Sequence, residues 1–516
     1  MGGKNMISRV KSIGLTGLDG FAVVVETEIS KSFEGTILSV VGLPDAAVRE
    51  SRERIRIALA NSGFPLPECT VTQNLAPAHI RKEGSAYDLP MLLGILASAG
   101  KIAEPSEKQA FIGEISLSGE VRGISGVLAS VITAKTLGFE EIYVPEKNAA
   151  EGSVIEGIKV YGVKTLSSLV SHLTGQALLS PEECRLDRIL SKRENVYGDF
   201  SEVIGQQSAR RACEIAAAGN HNLLFIGPPG TGKSMLAKRL PTILPDMTFD
   251  EMLESSKIYS VAGKLTPEHP LVSTRPFIKA NQGISTAGLI GGGTVPGPGT
   301  ISLAHNGVLF LDELPEFPVK LLETLRQPME DGNVTISRVR KTLTYPANFM
   351  LVCAMNPCPC GNFGHPTLKC SCTPAAVSRY INRISGPLLD RIDLQVELPP
   401  VRLEDIKTAA PAESSAEIKQ RVDAARKMQV ERFAGTNITS NSGMTPTMIR
   451  ECETEKGASE FLQQMFVKLS LSMRAYDKII KVSRTIADLE GCREIKKKHI
   501  AEAVFFRSLD KKYWNR

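Results

Sequence analysis

An apolar run, Leu223–Ile226, feeds directly into Gly227-Pro228-Pro229-Gly230-Thr231-Gly232-Lys233-Ser234 and then into a helix-forming stretch, Met235–Leu240. No other feature constrains the fold as strongly, because strand, glycine-rich turn and helix in that order satisfy GxxxxGK[ST] in the context that gives the pattern meaning. Gly230 and Gly232 let the backbone bend until successive N–H groups point at one centre, and the helix N-terminus adds partial positive charge there. Lys233 is suited to neutralise the β- and γ-phosphates of a nucleoside triphosphate, and the Ser234 hydroxyl to ligate Mg²⁺. The competing reading, a turn that binds nothing, has little room given the strand before and the helix after.

Two further apolar runs end in polar residues. Val308–Leu311 leads into Asp312 and Glu313, and Phe349–Ala354 leads to Asn356. Short buried-type strands with polar residues at their ends predict a parallel sheet whose carboxyl edge carries the chemistry. Asp312 is then the expected Mg²⁺ holder and Glu313 the residue that polarises the attacking water. Asn356 is placed to hold that water, although Asn before Pro357 is also ordinary turn chemistry.

A chain of 516 residues exceeds one hydrophobic core. From Lys11 to Leu173, strand-like runs (Phe21–Ile29, Thr36–Val41, Ile142–Val144, Lys159–Gly162) alternate with helical ones (Asp45–Ser62, Asp88–Ala99, Gly126–Leu137). Asp45 is the expected cap of the first helix. A polar linker follows, and beyond Pro400 the pattern is helical, through Pro411–Phe433, Met444–Cys452, Ser459–Leu469, Ser472–Leu489 and Lys498–Leu509. The expected divisions are 1–174, a linker at 175–199, 200–400 and 401–516. A formal charge of +5 permits nucleic acid as a partner without arguing for it. The longest apolar stretch, Leu89–Ala99, is too short to span a bilayer. With no secretory pattern in Met1–Val10, the expectation is a cytoplasmic protein with no membrane partner.

Of 10 cysteines, Cys358, Cys360, Cys370 and Cys372 crowd into one short stretch as C-x-C-x₉-C-x-C. Four thiolates suit tetrahedral Zn²⁺ in a closed, structural site. His365 lies between the pairs as a possible replacement ligand, and free cysteines are the alternative.

The strings GVLFLDELPEF, LRQPMEDG and AMNPCPCG, together with the glycine-rich loop, make the chain resemble the YifB/ComM family of magnesium-chelatase-like AAA+ proteins over nearly its whole length. The resemblance implies an α/β protein of three parts. These are an N-terminal Lon-protease-like (ribosomal S5-like) α+β domain, a P-loop AAA+ parallel-sheet module and a C-terminal all-helical lid. It implies an ATPase using ATP and Mg²⁺, assembled as a homo-oligomeric, hexameric ring with sites between subunits. Asn356 matches sensor 1 and Arg474 the sensor 2 arginine, both expected from the subunit that carries the loop, and Arg391 the arginine finger, expected from the next, with Arg383 and Arg484 as rivals for the two arginine roles. Thr286–Thr300, too glycine-rich for a helix, matches a mobile insert. Asn333–Thr344 alternates as a hairpin, placing Arg338, Arg340 and Lys341 near a tip where they would grip a DNA backbone.

In the Lon-like region, Lys82–Pro90 puts the nucleophile position on Ala86, with Ser85 one place early, and the lysine position of the later segment falls on Leu128. A Ser–Lys peptidase is therefore not expected, and "PAHIRK", Pro77–Lys82, reads as a solvated basic edge. The family implies a DNA translocase or branch-migration helicase on single-stranded or branched DNA, in recombination or transformation. The alternatives are a metal-chelatase motor subunit and a protein remodelling factor without peptidase activity.

Overall fold

The structure is a computed structural model that describes residues 7–32, 35–184, 186–191, 197–293, 297–338, 341–400, 412–469 and 471–514. The chain forms two compact units: Met1–Arg193 with Phe249–Ser273, and Glu194–Thr248 with Thr274–Arg516.

In the first unit, β1 (Ser8–Thr16), β2 (Asp19–Lys31), β3 (Ile37–Val41) and β4 (Cys69–Ala76) make a sheet of order β1-β2-β4-β3, antiparallel except for the parallel β3–β4 pair. The helix Ala46–Asn61 starts where expected, with the Asp45 carboxylate accepting from Val48 N–H at 2.8 Å. Helix Asp88–Ser98 is buried at every residue but the last, which explains its unbroken apolar sequence. It crosses β2 at Gly94, where an added Cβ would lie 2.4 Å from Thr27 Oγ1. Asp88 opens that helix in the core rather than in solvent, paired with Arg54 at 3.0 Å and bonded to Ser51. The Lys82 ammonium, fully buried, donates to the carbonyls of Gly42 and Pro77, and Ser85 donates to Glu114.

Among the described residues, a parallel sheet of β5 (Gln109–Phe111), β8 (Glu141–Pro145) and β9 (Lys159–Val163) and a hairpin of β6 (Glu114–Ile115) and β7 (Val121–Arg122) complete the strands of this unit. The helix Phe249–Val261 returns from far along the chain to pack on the helix Val127–Thr136. Ser260 ties it down: its hydroxyl donates to Glu151 at 2.7 Å and accepts from Leu128 N–H at 3.2 Å. Leu128 itself is wholly buried.

The second unit is built on a five-stranded, all-parallel sheet of β10 (Leu223–Ile226), β11 (Phe277–Ala280), β14 (Val308–Leu311), β17 (Met350–Met355) and β18 (Leu394–Glu397). Small ladders β12 (Gly291–Gly292)–β13 (Gly297–Pro298) and β15 (Asn333–Arg338)–β16 (Lys341–Pro346) stand beside it. The order β11-β14-β17-β10-β18 puts the first strand between the fourth and the fifth. Connections therefore diverge around β10, and the crevice at its carboxyl end is where an open parallel sheet takes ligands. The three apolar runs of the sequence are β10, β14 and β17, buried at every residue.

Helices Ser415–Arg432, Pro446–Arg450, Lys456–Leu469, Met473–Leu489, Lys497–Phe505 and Leu509–Trp514 follow the sheet. The first five of them share a core with the helix Gln207–Gly219 and with the sheet. At the amino edge of the strands Asp393 meets Lys478 at 2.7 Å and His221 Nδ1 at 3.7 Å. Burial pushes the Asp393 carboxyl up, but Lys478 and His221 more than reverse this and hold it below the usual range. Among the described residues no helix is long and apolar enough to cross a membrane.

Candidate nucleotide site

The turn after β10 is shaped by backbone that only glycine adopts freely. Gly230 has φ +80 and Gly232 φ +89, and an added Cβ at either would meet open space, so conformation alone demands glycine there. Gly232 caps the helix Lys233–Arg239, while Gly227 donates its N–H to Met355 O at 3.2 Å, locking the turn to β17. Gln206 bridges the turn from outside, its amide donating to Thr231 O at 3.3 Å and to Pro399 O at 2.8 Å.

Lys233 lies under this loop. Its ammonium donates to Gly227 O at 2.6 Å, Pro228 O at 2.8 Å and Asn356 Oδ1 at 3.1 Å. Burial lowers its pKa to about 8, with Asp312 and Glu313 pulling part of the way back. Ser234 Oγ donates to Asp312 Oδ2 at 3.0 Å, so the two oxygens expected to hold Mg²⁺ already adjoin. Lys233, Ser234, Asp312 and Asn356 thus converge through direct bonds, although they come from three strand ends.

Two residues here were not foreseen. Lys279, the penultimate residue of β11, pairs with Asp312 Oδ2 at 2.8 Å, and Gln282 donates to Glu313 Oε2 at 2.6 Å. Each sits beside its acid because β11 pairs with β14 in parallel register, Lys279 opposite Phe310 and Ala280 opposite Leu311. No local motif marks them, since the neighbourhood exists only once the strands pair. Glu313 itself has φ +54, an uncommon conformation for a side-chain-bearing residue and one concentrated at functional sites.

The two expected arginines lie elsewhere. Asn222, just before β10, takes Asp393 Oδ2 on its backbone N–H and donates its amide to Arg391 O, both at 2.9 Å. That places Arg391 at the amino edge, a strand length of about 13 Å from the glycine-rich turn. Its guanidinium bonds Pro387 O at 2.7 Å and Glu330, while its Nε is buried without a partner. Arg474 stands at the same edge, 3.8 Å from Asp390 with 66% of its side chain exposed. Neither touches the Lys233 cluster of its own chain. Of the rivals, Arg383 pairs with Glu316 at 3.2 Å. Arg484 is 3% exposed and bonded to Asp488 and to the carbonyls of Cys492 and Arg493, which leaves it nothing to offer a phosphate.

The insert departs from expectation in one respect: Thr286–Ile290 is a short helix. Ser285 caps it by accepting from Gly288 N–H at 3.0 Å, and the densest glycines come only after Ile290. The hairpin stands as expected, with Arg338 opposite Lys341 in the ladder; Arg340 and the side chains of all three basic residues lie outside the described residues.

Cys358, Cys360, Cys370 and Cys372 bring their sulfurs within 4.8 Å of one another. The pairs 358–360, 358–370 and 360–370 stand at 3.4, 3.7 and 3.5 Å, too far for a disulfide. A tetrahedron with metal–sulfur bonds of about 2.3 Å has edges of about 3.8 Å, so the donors fit Zn²⁺. Backbone N–H bonds and neighbouring thiols lower the Cys360 thiol to about 5, whereas burial first raises Cys358 to about 12. The set closes without His365, whose Nδ1 accepts from Thr367 N–H at 3.2 Å and Leu368 N–H at 3.0 Å.

Comparison with known proteins bears on the whole chain. Residues 199–406 match the family model described as magnesium chelatase, subunit ChlI; residues 25–148 match subunit ChlI of Mg-chelatase, and residues 412–507 its C-terminal part. The uncharacterized protein YifB of Escherichia coli K12 is 41% identical over 508 residues, covering 98% of each chain. Competence protein ComM of Haemophilus influenzae is 41% identical over 497 residues, covering 96% of each. DNA repair protein RadA of Streptococcus pyogenes is 30% identical over 169 residues, 30% of this chain and 36% of RadA.

Proposed function

Because this chain belongs to the YifB/ComM family of magnesium-chelatase-like AAA+ proteins, we propose that it is an ATPase that drives movement along DNA, as a branch-migration helicase or translocase in homologous recombination or transformation. The observation that carries the DNA reading is the 41% identity to a competence protein over 96% of each chain. The weaker, partial likeness to a DNA repair protein points the same way.

The hydrolysis follows from the carboxyl edge. The backbone N–H groups of Gly230–Lys233 and the Lys233 ammonium hold the β- and γ-phosphates. Ser234 and Asp312 would hold Mg²⁺, which when bound neutralises charge between those phosphates. Glu313 orients the attacking water and accepts its proton, and Asn356 fixes that water from the side. Lys279 keeps Asp312 ionised and oriented. Since Arg391 and Arg474 stand a strand length away, both reach the nucleotide of a neighbouring subunit in a homo-oligomeric ring, which we take as hexameric. An isolated subunit is then a poor ATPase.

In this reading the first 174 residues are a Lon-like, S5-like domain retained without a peptidase dyad as a binding or assembly module. Residues 401–516 are the helical lid, and Arg338, Arg340 and Lys341 are the cations that bind a phosphate backbone. The protein works in the cytoplasm. The test is ATP turnover by purified protein with and without single-stranded, forked and four-way DNA. The reading expects stimulation and junction movement; turnover indifferent to every DNA at low and moderate salt would sink it. The descriptions of the matching family models favour a second reading, a metal-chelatase motor subunit, which predicts turnover coupled to metal insertion into a tetrapyrrole instead.

A further inference from the structure

The four-cysteine loop is joined to the nucleotide site at more than its root. It leaves β17 directly after Asn356, whose amide oxygen accepts from Lys233, and Cys358 is its first cysteine. At Gly361 the loop presses on the glycine-rich turn. Gly361 has φ +81, and a Cβ built there would lie 2.5 Å from Pro229 Cδ and 3.0 Å from its Cγ. Bare backbone therefore rests on the proline ring between Gly227 and Gly230. Two residues on, the Phe363 ring lies 6.4 Å from Tyr513, whose hydroxyl donates to Glu397 at 2.8 Å.

The loop thus spans from the last helix to the phosphate turn. Behind it is a cavity of about 510 Å³ bounded by Pro228, Pro357, Phe363 and Leu398, so the loop is not backed by close packing. Within it the four cysteines gather into one cluster. Cys358 Sγ accepts from Phe363 N–H at 3.3 Å, and the three closest sulfurs lie within 3.7 Å of one another.

We propose that the four-cysteine centre is a metal-dependent strut: with Zn²⁺ bound, the loop holds Pro229 and Asn356 in the arrangement that receives the nucleotide, and without it the affinity for nucleotide falls. The proposal rests on the nucleotide reading above. It also predicts a stoichiometry. Glu490, Cys492 and His499 converge as well, but His499 Nδ1 accepts from Lys496 N–H at 3.0 Å. The proton is then on Nε2, which faces Glu490 at 3.0 Å and has no lone pair for a metal. One zinc per chain is expected, not two.

The experiment measures zinc by elemental analysis and binding of a fluorescent ATP analogue on the same full-length samples. These are the zinc-loaded protein, protein stripped with a zinc-selective chelator, and stripped protein given Zn²⁺ again. Stripping is expected to weaken binding about tenfold, the scale of losing one hydrogen bond to the charged phosphates, and Zn²⁺ should restore it. Gly361→Ala should weaken binding several-fold while keeping one zinc, and it decides the matter if the stripped chain loses its fold. Equal affinity of stripped and loaded folded protein, or of Gly361→Ala and the parent, overturns the strut. If the zinc-loaded parent itself binds no ATP analogue, the nucleotide reading fails and takes the strut with it.

Discussion

Two lysines in the second unit are held at the same depressed pKa, about 8, and burial is the leading cause for both. Their surroundings differ. Lys478, at the amino edge of the sheet, meets Asp393 at 2.7 Å, and that carboxylate also faces His221. Lys233, at the carboxyl edge, bonds two loop carbonyls and an amide oxygen, while Asp312 and Glu313 act on it only through space. One edge is a neutralised cluster that fixes helix Met473–Leu489 to the strands. The other gathers a cation with no carboxylate bonded to it, glycines at positive φ and an acid at φ +54. A low pKa therefore does not separate structural from functional lysines; the partner does.

The sharpest way to break the comparison is to remove each ammonium. Lys478→Ala takes from the buried Asp393 carboxylate its lysine partner and should cost about 3–5 kcal/mol of stability, read by denaturant unfolding. Lys233→Ala strands no carboxylate. It should leave unfolding close to the parent while lowering ATP turnover by at least about a hundredfold, the scale of losing a principal electrostatic contact to the reacting charge. If the stability loss came from Lys233 instead, the assignment of the two edges would be reversed. Glu313→Gln should also lower turnover by about 10²–10³, yet a fluorescent ATP analogue should still bind, because the amide keeps the shape and loses only the proton acceptor.

Much of the carboxyl edge was legible beforehand because its parts are contiguous. Gly227–Ser234 is one strand–turn–helix unit, and Asp312 and Asn356 each follow an apolar run that could be little else than a buried strand. The cysteine cluster was legible for the same reason. Lys279 and Gln282 were not, since they matter only through the pairing of β11 with β14. The packing of Phe249–Val261 against Val127–Thr136 was equally silent: Ser255, Ser256 and Ser260, which it buries, look like surface residues in the sequence. Nor could spacing say that Arg391 and Arg474 lie at the amino edge, because that depends on the direction in which β18 runs and on where the helix Met473–Leu489 packs.

A pH series distinguishes the two lysines without mutation. Lys233 has its folded value depressed below the usual lysine range, so above about pH 8 the folded chain releases a proton that the unfolded chain keeps. The unfolded state then binds more protons, and this group makes the nucleotide-free chain more stable as pH rises from about 8 toward the ordinary lysine value. Lys478 contributes with the same sign. Phosphate binding, however, needs the Lys233 charge, so kcat/KM for ATP should fall by about tenfold per pH unit above about 8. A profile flat to pH 9.5 would show that this ammonium is not what the free enzyme offers to ATP.

The smallest effect expected at the carboxyl edge comes from Gln282. Its amide donates to Glu313 Oε2 at 2.6 Å, an oxygen the attacking water would otherwise use. Gln282 lies three residues before Ser285, the cap of the insert helix Thr286–Ile290. Gln282→Ala frees that oxygen and should raise basal turnover a few-fold, since one hydrogen bond to a charged group is worth about 1.5–3 kcal/mol before water replaces it. KM for ATP should hardly move, because the bond touches no phosphate. A fall in turnover would instead make the amide an orienting partner that Glu313 needs, and the strained backbone at φ +54 would then be insufficient by itself to aim the carboxylate.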